Sequence, residues 1–513
     1  MKEKGQRRRR LIRFTAIAAA LVLGTGVAAW SAPSQPASAA VPQKLTVAFS
    51  EDITNLNPYG PADGQQSLQV VDGQIFNTLV TKDPKSNNKY LPSLATKWSE
   101  PNSLTWEFDL RKANFSDGTP VTASDVVADL QYLAKSASPL SSLWTSLDTV
   151  TAVNPQTVKI TTTVPLGSML ADLTLLDIAP ASDITKADFG TNPIGSGPFK
   201  ITSFSPENKV VLTANKGYWG GAPKLQSLTF SDIPDESARL TALKDGEVDL
   251  VWVVSPDQVS TLTDASGIKL KVADSDAYFF IWFNASQKPF NDVRVRQAMW
   301  YAVNAKAVDK SLFGDAGKTM TSPIPSTVFG SSTQDPYPYD PAKAKKLLAE
   351  AGYPHGFSTS IILAADSAPL IQEQAQAYAS YWAKVGVKVQ IESQPQAVWL
   401  QNLLALKWSM DIQENVVLTG DADYTLGRLY TSSADRTGYK NPQLDTLLSQ
   451  ASQTTDQTKR AQLYKQASKI IWSQAVGIFP LQERDTYAVK STVKGFTPTP
   501  NRVPSFLKVS IGN

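Results

Sequence analysis

The stretch VLTGDADYTLGRLY, residues 417–430, sets two carboxylates, Asp421 and Asp423, beside Tyr424, Tyr430 and one cation, Arg428. Acids so placed suit acid–base work, a hard metal ion, or capture of a positively charged ligand. The calcium option fails on pattern, because the loop lacks the six-acceptor spacing and terminal glutamate of an EF-hand. Paired carboxylates for sugar hydrolysis need only a fixed separation, so candidates among 46 acids carry almost no information.

Nucleophilic chemistry finds no support elsewhere in the chain. The single histidine, His355, stands in GYPHGF between a proline and a glycine that signal an exposed turn. No Gly-x-Ser-x-Gly elbow exists to partner it. With no cysteine there are no thiolate nucleophiles, thiolate metal sites or disulfides, and no lipid anchor on a processed cysteine. The glycine-rich GSGPF at 195–199 lacks the lysine and spacing of a phosphate loop. No catalytic residue, metal ligand or cofactor site is therefore assigned.

The elements that must position the 417–430 cluster are legible from periodicity. VPQKLTVAFS (41–50), LTWEFDL (104–110), TVKITTTV, KVVLTANKGYW and KLQSLTFSDI read as strands. RVRQAMWYAV, DPAKAKKLLAEAGY and LIQEQAQAYASYWAKVG read as helices, the last two stopped at Gly352 and Gly386. The strand VKVQIES, a helix around AVWLQNLLAL, the strand-like SMDIQENVV and helices at 440–452 and 456–474 follow. Asp117-Gly118 marks a turn, and Thr122 or Ser124 is placed to cap a helix with Asp125 near its positive end. In NPIGSGPF, Gly195 and Gly197 leave room for backbone to approach a neighbour closely. The alternation of periods near 2 and 3.6 in both halves predicts α/β units, and the length predicts two lobes.

Residues 1–39 are set apart. A basic head, an apolar run over 14–30 and a small-residue seam at Ala37-Ser38-Ala39 read as an export signal cleaved before Ala40. The run Arg8-Arg9-Arg10-Leu11-Ile12-Arg13 is similar to a twin-arginine signal, with the general secretory route and a retained anchor as the alternatives. This segment carries seven basic residues and Glu3, so the remainder of a chain of net +3 is near −3. No basic field is left for nucleic acid. No 18-residue uncharged apolar run follows residue 40, which predicts a soluble body.

Seven separated strings agree on one family: YLPSLATKWSE (90–100), LTWEFDLRKANFSDGTPVTASDVV (104–127), NPIGSGPFKITSFSPENKVVLTANKGYWGGAPKLQSLTF (192–230), ALKDGEVDL (242–250), FNDVRVRQAMWYAVN (290–304), YDPAKAKKLLAEAGY (339–353) and NPQLDTLLSQA (441–451). In this order the chain resembles the extracellular solute-binding proteins of ABC importers, in the class of dipeptide-, oligopeptide- and nickel-binding proteins. The resemblance implies an α/β fold of the periplasmic-binding-protein-like type II, two lobes joined by crossing strands near 277–284 and 480–487. It implies a first lobe over 40–283 with an extra subdomain at about 80–195, a second lobe over 284–480, and a return to the first over 481–513. It implies no enzyme, but a monomer exported to the outer face of the cytoplasmic membrane. That monomer would close about a small solute, most simply a peptide, and deliver it to a membrane permease whose ATPase is another polypeptide.

The resemblance also assigns Asp421 to the ligand's α-ammonium. Beside it, Thr419 and Gly420 are placed to offer backbone groups, and Arg428 to meet a ligand carboxylate bidentately or to salt-bridge Asp421 in the empty state. Aromatic walls are expected from Trp399, Trp408 and Tyr424 in the second lobe and from Trp252 and Trp282 near the hinge. Dipeptide binders are similar to one another in an Asp-Pro-Asp-Asn-Phe stretch after this aspartate, where this chain reads DADYTLGRLY. That departure leaves oligopeptides, other amines or sugars open.

Overall fold

A computed structural model describes residues 41–512, apart from 264, 366 and 368. The export signal expected at 1–39 lies outside the described residues. Ten strands run in one hydrogen-bonded path: Lys388–Gln394, Ser358–Ala364, Met410–Val416, Ile268–Phe283, Gly477–Lys490, Leu250–Val251, Lys44–Phe49, Ser227–Asp232, Lys209–Ala214 and Phe199–Ser205, with Gly317–Thr319 added against Gly477–Lys490. The path mixes parallel and antiparallel pairs in blocks.

Two of these strands are long enough to serve both lobes. Ile268–Phe283 and Gly477–Lys490 pair antiparallel over most of their length. Their far halves differ in neighbours: residues 277–283 pair with Met410–Val416, whereas Leu250–Val251 joins the 488–489 end. One apolar core gathers residues from Leu45 to Trp252 with Tyr487, Val489, Phe496, Phe506 and Val509. A second gathers Tyr278 to Leu481. The fold is thus two-lobed α/β of the periplasmic-binding-protein-like type II, with the crossing strands the sequence implied.

Local chemistry explains the elements around the first core. A separate antiparallel sheet is ordered Ala95–Asn102, Thr105–Leu110, Thr157–Thr162, Leu147–Asn154 and carries helix Ala123–Leu133. Thr122 caps that helix: its backbone N–H and hydroxyl both donate to Asp125 at 2.8 Å, a reciprocal capping box. The NPIGSGPF loop closes onto a helix end, and its Pro198 lines the cavity of the candidate site. Gly197 N donates to Ile75 O at 2.7 Å, and a Cβ on Gly195 would stand 2.2 Å from the same oxygen. Among the described residues no helix is long and apolar enough to cross a membrane.

Candidate functional site

The crossing strands are out of register at one place. Asp274 pairs with Arg484 and the next pair is Tyr278 with Gln482, so residues 275–277 face Glu483 alone. Such bulges bend a strand and re-aim its side chains, and they recur beside binding sites. Here the bulge is pinned from both lobes. Asp276 N donates to Pro500 O at 2.7 Å, and Asp276 O accepts from Val417 N at 3.1 Å. Ser275 O accepts from Thr327 Oγ1 (3.1 Å) and Gln482 Nε2 (2.8 Å). The carboxylate of Asp276 is fully buried, and among the described residues neither oxygen accepts a well-aligned hydrogen bond, the Thr327 hydroxyl being the nearest donor. Burial pushes its pKa up, while the charge of Lys82 opposes the shift.

Asp276 lines a cavity of about 810 Å³. The first lobe contributes Asp63, Asn77, Lys82, Asp177 and Trp219; Ser326 and Thr327 come from the second, and residues 499–501 and 503–505 from the C-terminal segment. The aromatic wall is held rigidly. Trp219 Nε1 donates to Asn77 Oδ1 at 2.9 Å, and the guanidinium of Arg111 lies 3.7 Å over the Trp219 ring. Asp63 accepts from Ser138 Oγ at 2.6 Å, yet burial pushes its pKa up to about 7. Burial, with the charge of Asp63, pushes Asp177 up to about 8, and the same two causes, reinforced by Asp177, raise neighbouring Asp72.

Two sets of contacts hold the lobes together around this cavity. Lys82 Nζ donates to Gly420 O at 2.8 Å, from the edge of strand Val80–Lys82 to the loop after Met410–Val416. Gly420 has φ +61°, and a Cβ there would stand 1.9 Å from Lys82 Nζ and 3.2 Å from Asp276 Oδ2. Only glycine fits that place. Further round the rim, Gly167 N donates to Ser452 O at 2.7 Å. Behind the hinge, Arg502 bonds Asp485 through two contacts of 2.8 Å, Glu414 at 3.4 Å, and Glu483. That network ties the C-terminal segment to crossing strand Gly477–Lys490 and to strand Met410–Val416.

The residues picked from sequence are brought only partly into this site. Asp421 is paired inside the chain: Arg460 Nη1 and Nη2 reach its two oxygens at 2.6 Å each, and both side chains are 1 % exposed. A ligand ammonium at Asp421 would have to displace a buried, bidentate guanidinium, and the structure uses the carboxylate in an internal ion pair. Arg460 stands in the first turns of helix Gln457–Ser473, and the carboxylate 39 positions away could not be matched to it by spacing. Asp423 accepts from Tyr464 OH at 2.8 Å. Thr419 is buried and its hydroxyl accepts from Asp421 N, while the Gly420 carbonyl is taken by Lys82 and Phe329 N.

The tryptophans expected to wall the site lie in the two apolar cores. Trp399 donates to Asp411, Trp408 to Leu403 O and Trp282 to Tyr430 OH, all within the second core. Trp252 is packed between Phe49 and Tyr487 in the first. None of the four lines the cavity. Their apolar neighbours at strand and helix spacing were the signal for core. Tyr424 is the exception in position, half-buried and touching both apolar cores, with the Arg428 guanidinium 4.5 Å over its ring. Asp276 and Lys82 escaped the sequence reading. The one available signal was an aspartate at the head of the apolar run AYFFIWF, where a strand buried on both faces begins.

Comparison with known proteins agrees with this architecture. Residues 89–437 match the model of bacterial extracellular solute-binding proteins, family 5 Middle. The chain is 30% identical over 489 residues to the glutathione-binding protein GsiB of Pectobacterium atrosepticum, covering 90% of this chain and 92% of that one. HbpA2 from Haemophilus parasuis superposes with a TM-score of 0.81 at 26% identity, over 92% of this chain and 100% of that one. DppA from Helicobacter pylori, solved in complex with the peptide STSA, superposes at 0.76 with 27% identity, over 92% and 98%. The chain therefore belongs to the bacterial extracellular solute-binding proteins of family 5, exported, non-catalytic components of ABC importers that bind a small solute and deliver it to a membrane permease.

Proposed function

We propose that the solute is a peptide, taken into the hinge cavity as the two lobes close on it. The observation that carries this reading is the cavity itself. Its volume of about 810 Å³ falls within the range that encloses a ligand of a few residues, roughly 300–1,000 Å³. Its wall mixes an aromatic face with amide, hydroxyl and carboxylate groups drawn from both lobes and the hinge. The names of two relatives point the same way: one binds glutathione, itself a peptide, and one was solved with a four-residue peptide.

In this reading closure follows from differential affinity. A peptide seated on the Trp219 wall gains contacts to Ser326 and Thr327 only when the lobes are together, so it favours the closed form by the worth of those contacts. Tyr424, at the meeting of the two cores, and Arg428 upon it flank the seam. No bond is made or broken, and the chain supplies only attraction and desolvation.

The test is native mass spectrometry of the protein purified with its endogenous ligand, followed by small-angle scattering with that ligand added to stripped protein. A bound peptide mass and a contraction of the particle are expected. A bound sugar or other non-peptide mass, or a scattering curve unchanged at saturation, would overturn the reading.

A further inference from the structure

The cavity holds more carboxyl groups than the fold uses. We infer that it selects a solute with two positive charges, one ammonium held by Asp276 at the hinge bulge and a second, basic group held by Asp63 and Asp177 on the first-lobe wall. This deepens the peptide reading and rests on it: the substrate class becomes peptides with a free amino terminus and a basic side chain.

Three observations converge. Asp276 is fully buried with both oxygens lacking a well-aligned partner, although its backbone is pinned on either side. A buried carboxylate without well-aligned donors is costly, and the arrival of a desolvated cation relieves that cost. Asp63 and Asp177 line the same cavity, with Asp72 close behind them and one of its oxygens also unpartnered. Among the described residues, Asp63 accepts from the hydroxyl of Ser138 and from the backbone N–H of Gly64, neither of them a cation. The cations nearby do not ion-pair with these carboxylates: Lys82 is bonded to Gly420 O and acts on Asp276 only through its charge, as does Arg502, Arg111 lies on Trp219, and Lys85 is exposed at the rim.

The charge faces an organic cation, not a metal ion. Among the described residues no group of three or more histidine, cysteine or acidic side chains is arranged to hold a metal. A cavity of about 810 Å³ is also far larger than an ion requires. Burial raises the pKa values of Asp63 and Asp177, with the charge of Asp63 adding to the shift at Asp177, and a bound cation favours their charged forms.

Calorimetry on the purified, ligand-stripped protein tests the assignment with Ala-Lys, Ala-Leu, Ala-Glu, N-acetyl-Ala-Lys and the diamine cadaverine. Ala-Lys is expected to bind at least about tenfold more tightly than Ala-Leu, with Ala-Glu weakest, and acetylation to cost at least about tenfold. Asp276→Asn should weaken Ala-Lys and Ala-Leu alike and leave N-acetyl-Ala-Lys where it was. Asp63→Asn should bring Ala-Lys down towards Ala-Leu. Circular dichroism melts confirm that each variant is folded, and the two variants fail independently. Equal binding of Ala-Leu and Ala-Lys with no loss in Asp276→Asn overturns the charge assignment and leaves the peptide reading standing. Cadaverine binding that is lost in Asp276→Asn, with no dipeptide bound, supports the charge assignment and overturns the peptide reading. Binding of none of the five probes overturns the inference.

Discussion

Replacing Asp421 by asparagine separates a fold role from a ligand role at the residue that the sequence singled out. Arg460 reaches both Asp421 oxygens at 2.6 Å, and each side chain is 1 % exposed, so water cannot take the place of the lost charge. Burial alone lowers the pKa of Arg460, but Asp421, with help from Tyr464, holds it well above its ordinary value. A guanidinium is not deprotonated in a protein, so it stays charged in the variant even without Asp421. Its remaining partners are Gln457 Oε1 at 3.4 Å, Tyr464 OH at 3.3 Å, Ala451 O at 3.3 Å and the nearby charge of Asp423. Those are long contacts for a buried cation. Breaking a buried pair on one side costs about 3–5 kcal/mol, a large part of the roughly 5–15 kcal/mol that holds a domain folded.

Urea unfolding followed by tryptophan fluorescence measures that loss. The double variant Asp421→Asn/Arg460→Met should recover much of it, since no unpaired charge is left, and a coupling energy of at least about 2 kcal/mol is expected from the cycle. Ligand affinity of the folded Asp421→Asn protein should change by less than about threefold, because the carboxylate lies outside the cavity wall. A stability loss under about 1 kcal/mol together with a tenfold or greater loss of affinity would refute the reasoning and return Asp421 to the ligand.

The inter-lobe bond gives a second test: Lys82→Met removes the donor to Gly420 O, and ligand-free protein should show a larger radius of gyration by small-angle scattering, whereas an unchanged curve would mean that the Gly167 contacts alone hold the lobes. Gly420→Ala should open the lobes further than Lys82→Met, because its Cβ also meets Asp276 and the φ of +61° strains any other residue. A pH effect is expected at Asp309, on helix Ala305–Leu312, whose pKa burial raises to about 8 against a weak 3.4 Å bond from Thr319. The folded state there binds a proton that the unfolded state releases near pH 4. Its stabilising contribution is therefore complete below about pH 4 and declines as pH rises to about 8, by a few kcal/mol. Asp309→Asn should flatten that part of the profile in thermal melts, and an unaltered slope would count against it.

Much of the frame was written in local pattern. Thr122 and Asp125 form their capping box from residues three apart, Gly352 and Gly386 end their helices in left-handed conformations, and the strands over 44–49, 105–110 and 227–232 stand where period-2 runs placed them. Such features depend on neighbours in sequence, and short-range sterics and hydrogen bonding decide them. The lack of cysteine and the lone histidine excluded thiol and histidine chemistry for the same reason: they are facts of composition.

The site was decided at longer range. Whether Asp421 meets a ligand or a guanidinium depends on Arg460, carried to it by a helix 39 residues on; whether a tryptophan lines a cavity or fills a core depends on which strand faces it. Asp276 looks in sequence like one more polar residue at the start of a strand. It becomes a buried, unpartnered carboxylate because two crossing strands slip register at that point and bring the C-terminal segment and the second lobe against its backbone. A linear chain displays its charges and its periodicities, but which charges are left without partners once water is excluded is a property of the folded packing alone.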